Sequence, residues 1–90
     1  MIYCKPFTPE QRRAAVREYE SFRNHIHLLR KAFPPSTRVQ RKHFRDYRDA
    51  VRAMGEELLL VSVRVRRLND TIALAGAAMA EYMKAKQVGA

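Results

Sequence analysis

Ninety residues with 47% apolar content, no tryptophan and a single cysteine make one small domain, too small for a large internal pocket and not a disulfide-stapled fold. Eighteen lysines and arginines against nine acidic residues leave a net charge of +9, which points to a polyanionic or acidic partner: nucleic acid, an anionic surface or an acidic protein. Only three glycines and four prolines, with Arg, Ala, Glu and Leu abundant, favour helix over strand and turn.

In chain order, residues 1–7, with Ile2, Tyr3 and Phe7 apolar and Pro6 forbidding a helix through them, read as an extended arm that lays its aromatics against the hairpin, or as an edge strand if another strand exists. The opening residues do not resemble a secretory leader, and the longest low-charge run, Thr71 to Ala80, is too short to span a bilayer, so a cytoplasmic protein without a transmembrane segment is expected. The domain proper occupies residues 8–90. Thr8-Pro9-Glu10-Gln11 is a helix start: threonine caps, proline suits the first helical position, and Gln11 completes a capping box. Helix 1 is predicted over about 9–33, with an apolar seam of Ala15, Tyr19, Phe22, Ile26, Leu29 and Phe33. Pro34-Pro35 must end it, and Thr37 with Gln40 forms a second capping box after the turn at 34–36. Two capped helices joined this way form an antiparallel helical hairpin.

Helix 2 carries the longest pattern in the chain. Alternate steps of three and four pass through Phe44, Tyr47, Val51, Met54, Leu58, Val61, Val65, Leu68, Ile72, Ala75, Met79 and Tyr82, all apolar or aromatic. That register predicts one helix over about 37–87 with a coiled-coil-like seam, in which Leu58, Val61, Val65, Leu68, Ile72 and Met79 form the core or a dimer seam. Helix 1 is half as long, so the far seam lacks a partner within the hairpin. The expected fold is therefore all-α, a hairpin with a long second helix that dimerises into a four-helix bundle. Two alternatives stand beside it: a three-helix bundle broken near Asn69-Asp70, both credible caps, and an α+β fold with Leu58–Arg67 as a strand. Small residues Ala73, Gly76, Ala77 and Ala80 would allow close approach at a dimer seam.

The polar feature of most interest is an arginine stripe, Arg38, Arg41, Arg45, Arg48 and Arg52, spaced three, four, three and four along one helix face. Lys42 lies beside it, and Arg30 and Lys31 approach it across the hairpin turn. Guanidiniums in a row on a rigid helix can follow a phosphate backbone, their planar forks giving bidentate contacts. Asp46 and Asp49, four residues after Lys42 and Arg45, are positioned to neutralise part of the stripe. Arg64, Arg66 and Arg67 make a second cluster. No helix-turn-helix spacing, zinc-ligand set or aromatic-rich RNA-binding signature accompanies these residues, so base-specific readout is not expected.

Catalysis and metal binding find no support. His25, His27 and His43 lack a ligand-set spacing, Cys4 has no activating base and reads as a plain thiol, and there is no phosphate loop or nucleophile elbow. A helical dimer of this length is similar to the small all-helical chorismate mutases, but those place Arg and Lys inside the bundle, whereas this seam is uniformly apolar. No cofactor is expected. Two functions are: a basic helical homodimer that binds nucleic acid through phosphates in an accessory or regulatory role, or an adaptor or inhibitor that docks on an acidic protein, in the manner of small mobile-element and secretion-system proteins.

Overall fold

In a computed structural model, which describes residues 7–60 and 62–89, the chain forms three helices: α1 (Pro9–Ala32), α2 (Arg38–Leu58) and α3 (Val65–Val88). The described residues contain no strand, so the all-α expectation holds and Leu58–Arg67 is not a strand over those positions. The molecule measures 48 × 25 × 16 Å. It is flat because α2 lies between the other two helices; α3 packs closely along it, and α1 stands further off.

Both predicted N-caps form, the first of them as a full capping box. Thr8 Oγ1 accepts from the Gln11 amide at 3.1 Å while Gln11 Oε1 accepts from the Thr8 amide at 3.0 Å, closing the capping box. Thr37 Oγ1 accepts from the Gln40 amide at 3.1 Å, and buried Gln40 turns its Oε1 to the amide and hydroxyl of Ser36, both at 2.9 Å. Pro34-Pro35 ends α1 as expected, one residue earlier than predicted: Phe33 is the C-cap, its φ of −138° and ψ of 60° already off the helix. Because the backbone leaves the helical path there, Phe33 loses the phase of the α1 seam and turns outward, 59% exposed. The rest of that seam packs inward, with Ala15, Ile26 and Leu29 buried and Tyr19 and Phe22 half-buried. In the arm, Phe7 packs against the cluster of Ala15, Met54, Leu58 and Leu68, in line with the expected contact; Ile2, Tyr3 and Cys4 lie outside the described residues.

The single helix expected over 37–87 is broken. Residues 59–64 turn the chain back, so the unpaired far seam finds its partner in α2 of the same molecule. The break falls several residues before Asn69 and Asp70, which lie exposed within α3. Two tight bonds, Leu59 amide to Glu56 carbonyl and Leu60 amide to Glu57 carbonyl, both 3.2 Å, close the end of α2. Glu57 then holds the turn. Its carboxylate, 3% exposed, accepts from the Arg64 amide at 2.8 Å, from Arg64 Nε at 3.0 Å and from Arg64 Nη2 at 2.8 Å, with Arg67 Nε at 3.8 Å. Arg64 is the N-cap of α3 and makes no side-chain cap bond, and no acidic residue occupies the first turn of α3. Glu57 supplies from α2 the negative charge that the N-terminal end of α3 favours. These donors, the Arg64 guanidinium first, hold the Glu57 carboxyl below its ordinary value.

Folding back rotates the seam. Leu58 and Leu68 are buried as predicted, whereas Val65, Ile72 and Met79 are only half-buried; Val61 lies outside the described residues. Thr71 and Ala85 take buried places the heptad pattern did not give them, and the Thr71 hydroxyl is satisfied by the Leu68 carbonyl. The small residues that face α2 are Ala75, Ala78 and Ala85, while Ala73, Ala77 and Ala80 are exposed and a side chain at Gly76 would meet open space. At the other end Tyr82 packs edge-on against Phe44, ring centres 5.3 Å apart, and donates its hydroxyl to the Phe33 carbonyl. Tyr47, fully buried, meets Phe22 edge-on and shares a 2.9 Å hydrogen bond with His25 Nδ1; burial pushes its hydroxyl up to about 12, so it stays neutral.

Two outcomes follow for stability. Leu68→Ala, which empties a site 2% exposed, lowers the free energy of unfolding by about 2–5 kcal/mol in denaturant titration. Glu57→Gln lowers the thermal midpoint at neutral pH. Because the folded Glu57 is more acidic than the free carboxyl value of 4.5, its contribution is complete above that value and is lost as pH falls below it. The gap between wild type and Glu57→Gln therefore narrows on acidification, which parallel melts at pH 7 and pH 3 would register.

Candidate nucleic-acid interface

The arginine stripe lies on α2 as the spacing requires, and the fold divides it into two connected stretches. Arg38, Arg41, Lys42 and Arg45, with Val39, line a shallow depression of about 490 Å³ at the N-terminal half of α2. Arg48 and Arg52 continue along the same helix face into a groove of about 770 Å³ between α2 and α1. Arg12, Arg23, His27 and Arg30 of α1 form the facing wall. Five arginines thus border the groove against two carboxylates, Glu20 and Glu56.

The groove opens where α1 stands off α2, although α1 is tied at both ends and, between them, by Phe22 and His25 against the buried Tyr47. At one end Arg12 Nη1 donates to the Leu58 carbonyl at 3.0 Å, capping the C-terminus of α2, and stacks over the Phe7 ring at 5.5 Å. At the other end α3 reaches the turn: Tyr82 bonds the Phe33 carbonyl, and Lys86 Nζ donates to the Pro34 carbonyl at 2.8 Å. Between the ties Tyr19 lies on Gly55, where an added Cβ would meet the tyrosine ring at 2.8–2.9 Å. The absence of a side chain at Gly55 lets that ring form part of the groove floor, beside Val16, Ile26 and Val51.

Which cations are free decides what this face can do. Lys42 pairs with Asp46 at 3.1 Å, as its spacing suggested. Asp49 turns to Arg48 at 3.6 Å and leaves Arg45 alone, contrary to the expected Arg45–Asp49 pair. The 3.6 Å contact is too long for a hydrogen bond, and Arg48 Nε, buried in the wall, has no acceptor among the described atoms. Arg41 touches the Ser36 carbonyl at 3.3 Å, and Arg30 lies over the Phe44 ring at 5.8 Å. Arg23, Lys31, Arg38, Arg45 and Arg52 have no ion pair within the described residues. The second cluster behaves differently, since Arg64 and Arg67 are bound to Glu57 and belong to the turn.

The start of α2 adds to the field. No acidic residue occupies its first turn; Arg38 and Arg41 stand there instead, at the positive end of the helix dipole. Cations at that end are unfavourable by about 0.3–1 kcal/mol each, so the arrangement sacrifices helix stability and raises the local positive potential. Arg30 of the α1 wall was expected beside the stripe, but a groove walled by α1 was not, although Glu20, Arg23, His27 and Arg30 stand at steps of three, four and three on one helix face. Among the described residues no cluster of three His, Cys, Asp or Glu could hold a metal ion.

Gly55→Val tests the floor of the groove. The new side chain displaces Tyr19 and costs about 1–3 kcal/mol, and most of that loss disappears in the Tyr19→Ala background, so a double-mutant cycle reads a coupling of about 1 kcal/mol or more.

No family model matches the chain, and neither curated proteins nor solved structures yield a significant match to it.

Proposed function

We propose that this chain binds nucleic acid through phosphate contacts made by α2 and the facing flank of α1, as an accessory or regulatory binding protein and not an enzyme. The observation that carries the proposal is the set of unpaired arginines on one connected face. Arg38, Arg45 and Arg52 follow one another at seven-residue intervals along α2, with Arg23 across the groove, and none has a carboxylate partner among the described residues. The span from Arg38 to Arg52 is roughly 21 Å at 1.5 Å per residue, enough for several successive phosphates. Contacts of this kind give affinity and register without base choice.

A second function is supported by a different observation. The groove floor is apolar, with Val16, Tyr19 and Val51 beneath the arginines, a combination that also suits an acidic segment of a protein partner. The homodimer expected from the long helix has lost its first motive, because α3 covers α2 within one chain. If a second copy binds, the uncharged outer face of α3, where Ala73, Leu74, Ala77 and Ala80 are exposed, is the surface we assign to it. A cytoplasmic setting belongs to the same proposal; among the described residues no helix is long and apolar enough to cross a membrane.

Fluorescence anisotropy with a labelled random-sequence DNA duplex, beside a single-stranded RNA of equal charge, tests the proposal. Binding is expected to weaken log-linearly with salt, and replacing Arg38, Arg45 and Arg52 by alanine lowers the slope on duplex by about 2 to 3. Failure to bind either ligand at low salt would eliminate nucleic acid and leave the acidic protein partner.

A further inference from the structure

Of the eight Phe and Tyr residues, Phe44, Tyr47 and Tyr82 are buried, Phe7, Tyr19 and Phe22 are half-buried, and Tyr3 lies outside the described residues. Phe33 is therefore the one such ring that stands out on the described surface, 59% exposed. It is not a loose end. Its amide donates to the Leu29 carbonyl at 2.8 Å, its carbonyl accepts from the buried Tyr82 hydroxyl, and the next carbonyl, of Pro34, accepts from Lys86. Two prolines follow, which restrict the backbone further. Its neighbours in the chain are basic on both sides of the turn: Arg30 and Lys31 close α1, Arg38 and Arg41 open α2, and Arg41 reaches back to the Ser36 carbonyl.

An exposed aromatic ring held on a fixed backbone, at the head of a row of unpaired arginines, has the parts of a single-strand binding site. An unpaired base presents a π-face to stack on, whereas the bases of a duplex are stacked on one another inside it. The ring has only two side-chain torsions to fix, and its backbone is already ordered, so little entropy is lost when a base settles on it. Resting on the nucleic-acid reading above, we propose that Phe33 is a stacking platform and that the preferred ligand is single-stranded. One base sits on Phe33 while the strand's phosphates run along Arg38, Arg41 and Arg45.

The full chain, Phe33→Ala and Phe33→Trp are titrated with a labelled single-stranded oligonucleotide and with a duplex of equal charge. Phe33→Ala weakens single-strand binding about tenfold and leaves duplex binding and both salt slopes unchanged. The protein has no tryptophan, so Phe33→Trp carries a lone reporter, and its emission is quenched by the single strand and not by the duplex. Circular dichroism confirms that both variants keep the wild-type helix content. Equal binding of the single strand by wild type and Phe33→Ala overturns the platform and leaves phosphate gripping in place. So does an indole emission in Phe33→Trp that ignores a strand seen to bind by anisotropy, or an equal loss of duplex binding in Phe33→Ala. Absence of all binding by the wild type at low salt removes nucleic acid altogether, and the platform with it.

Discussion

The carboxylate of Glu57 is almost wholly withdrawn from water, and the turn that lays α3 on α2 is assembled around it. Arg64 contributes both its amide and its guanidinium, so one acidic side chain fixes the start of a helix and neutralises a cation in the same place. A buried carboxylate is tolerable only when its acceptor sites are filled, and here three short bonds fill them. Everything else in the molecule depends on the direction that turn gives to α3. Its apolar face covers α2, its C-terminal Tyr82 and Lys86 hold the first turn of the hairpin, and α1 is thereby tied at the end away from Arg12.

The division of labour among the arginines follows from this arrangement. Arg12, Arg64 and Arg67 are committed to a helix end and to Glu57. The remaining cations on α2 and on the facing side of α1 receive few carboxylates, and two stand at the positive end of a helix dipole. A surface arranged for stability alone would put Asp or Glu there and alternate the charges. Departures from such local rules concentrate where a surface meets a ligand.

Much of this was legible in the residues. Thr8 with Gln11, Thr37 with Gln40, and Pro34-Pro35 locate the hairpin without reference to any contact, because caps and prolines act on the backbone beside them. The arginine stripe and the Lys42–Asp46 pair follow from helical spacing alone. The second turn was not legible. Residues 58–65 hold neither glycine nor proline, and Leu58, Val61, Val65 and Leu68 keep the heptad in step across the break. What bends the chain is a bond between residues seven apart and the apolar face waiting on α2, and neither is a local signal. The same limit hid the partner of Asp49, the outward turn of Phe33 and the groove between α1 and α2, since each depends on where one helix lies against another.

Both connections are short, and each helix packs chiefly on its neighbour in the chain. Such topologies have low contact order, and helical domains of this kind fold in microseconds to milliseconds. The close α2–α3 pair contains Tyr47, Met54, Leu68, Ala75 and Tyr82, the most deeply buried side chains, and so forms the cooperative unit of highest local stability. Helix α1, which packs on α2 less closely than α3 does, is the part that opens first in native-state amide exchange. The wall it lends to the groove is therefore the adjustable one, while the α2 wall stays fixed on the core.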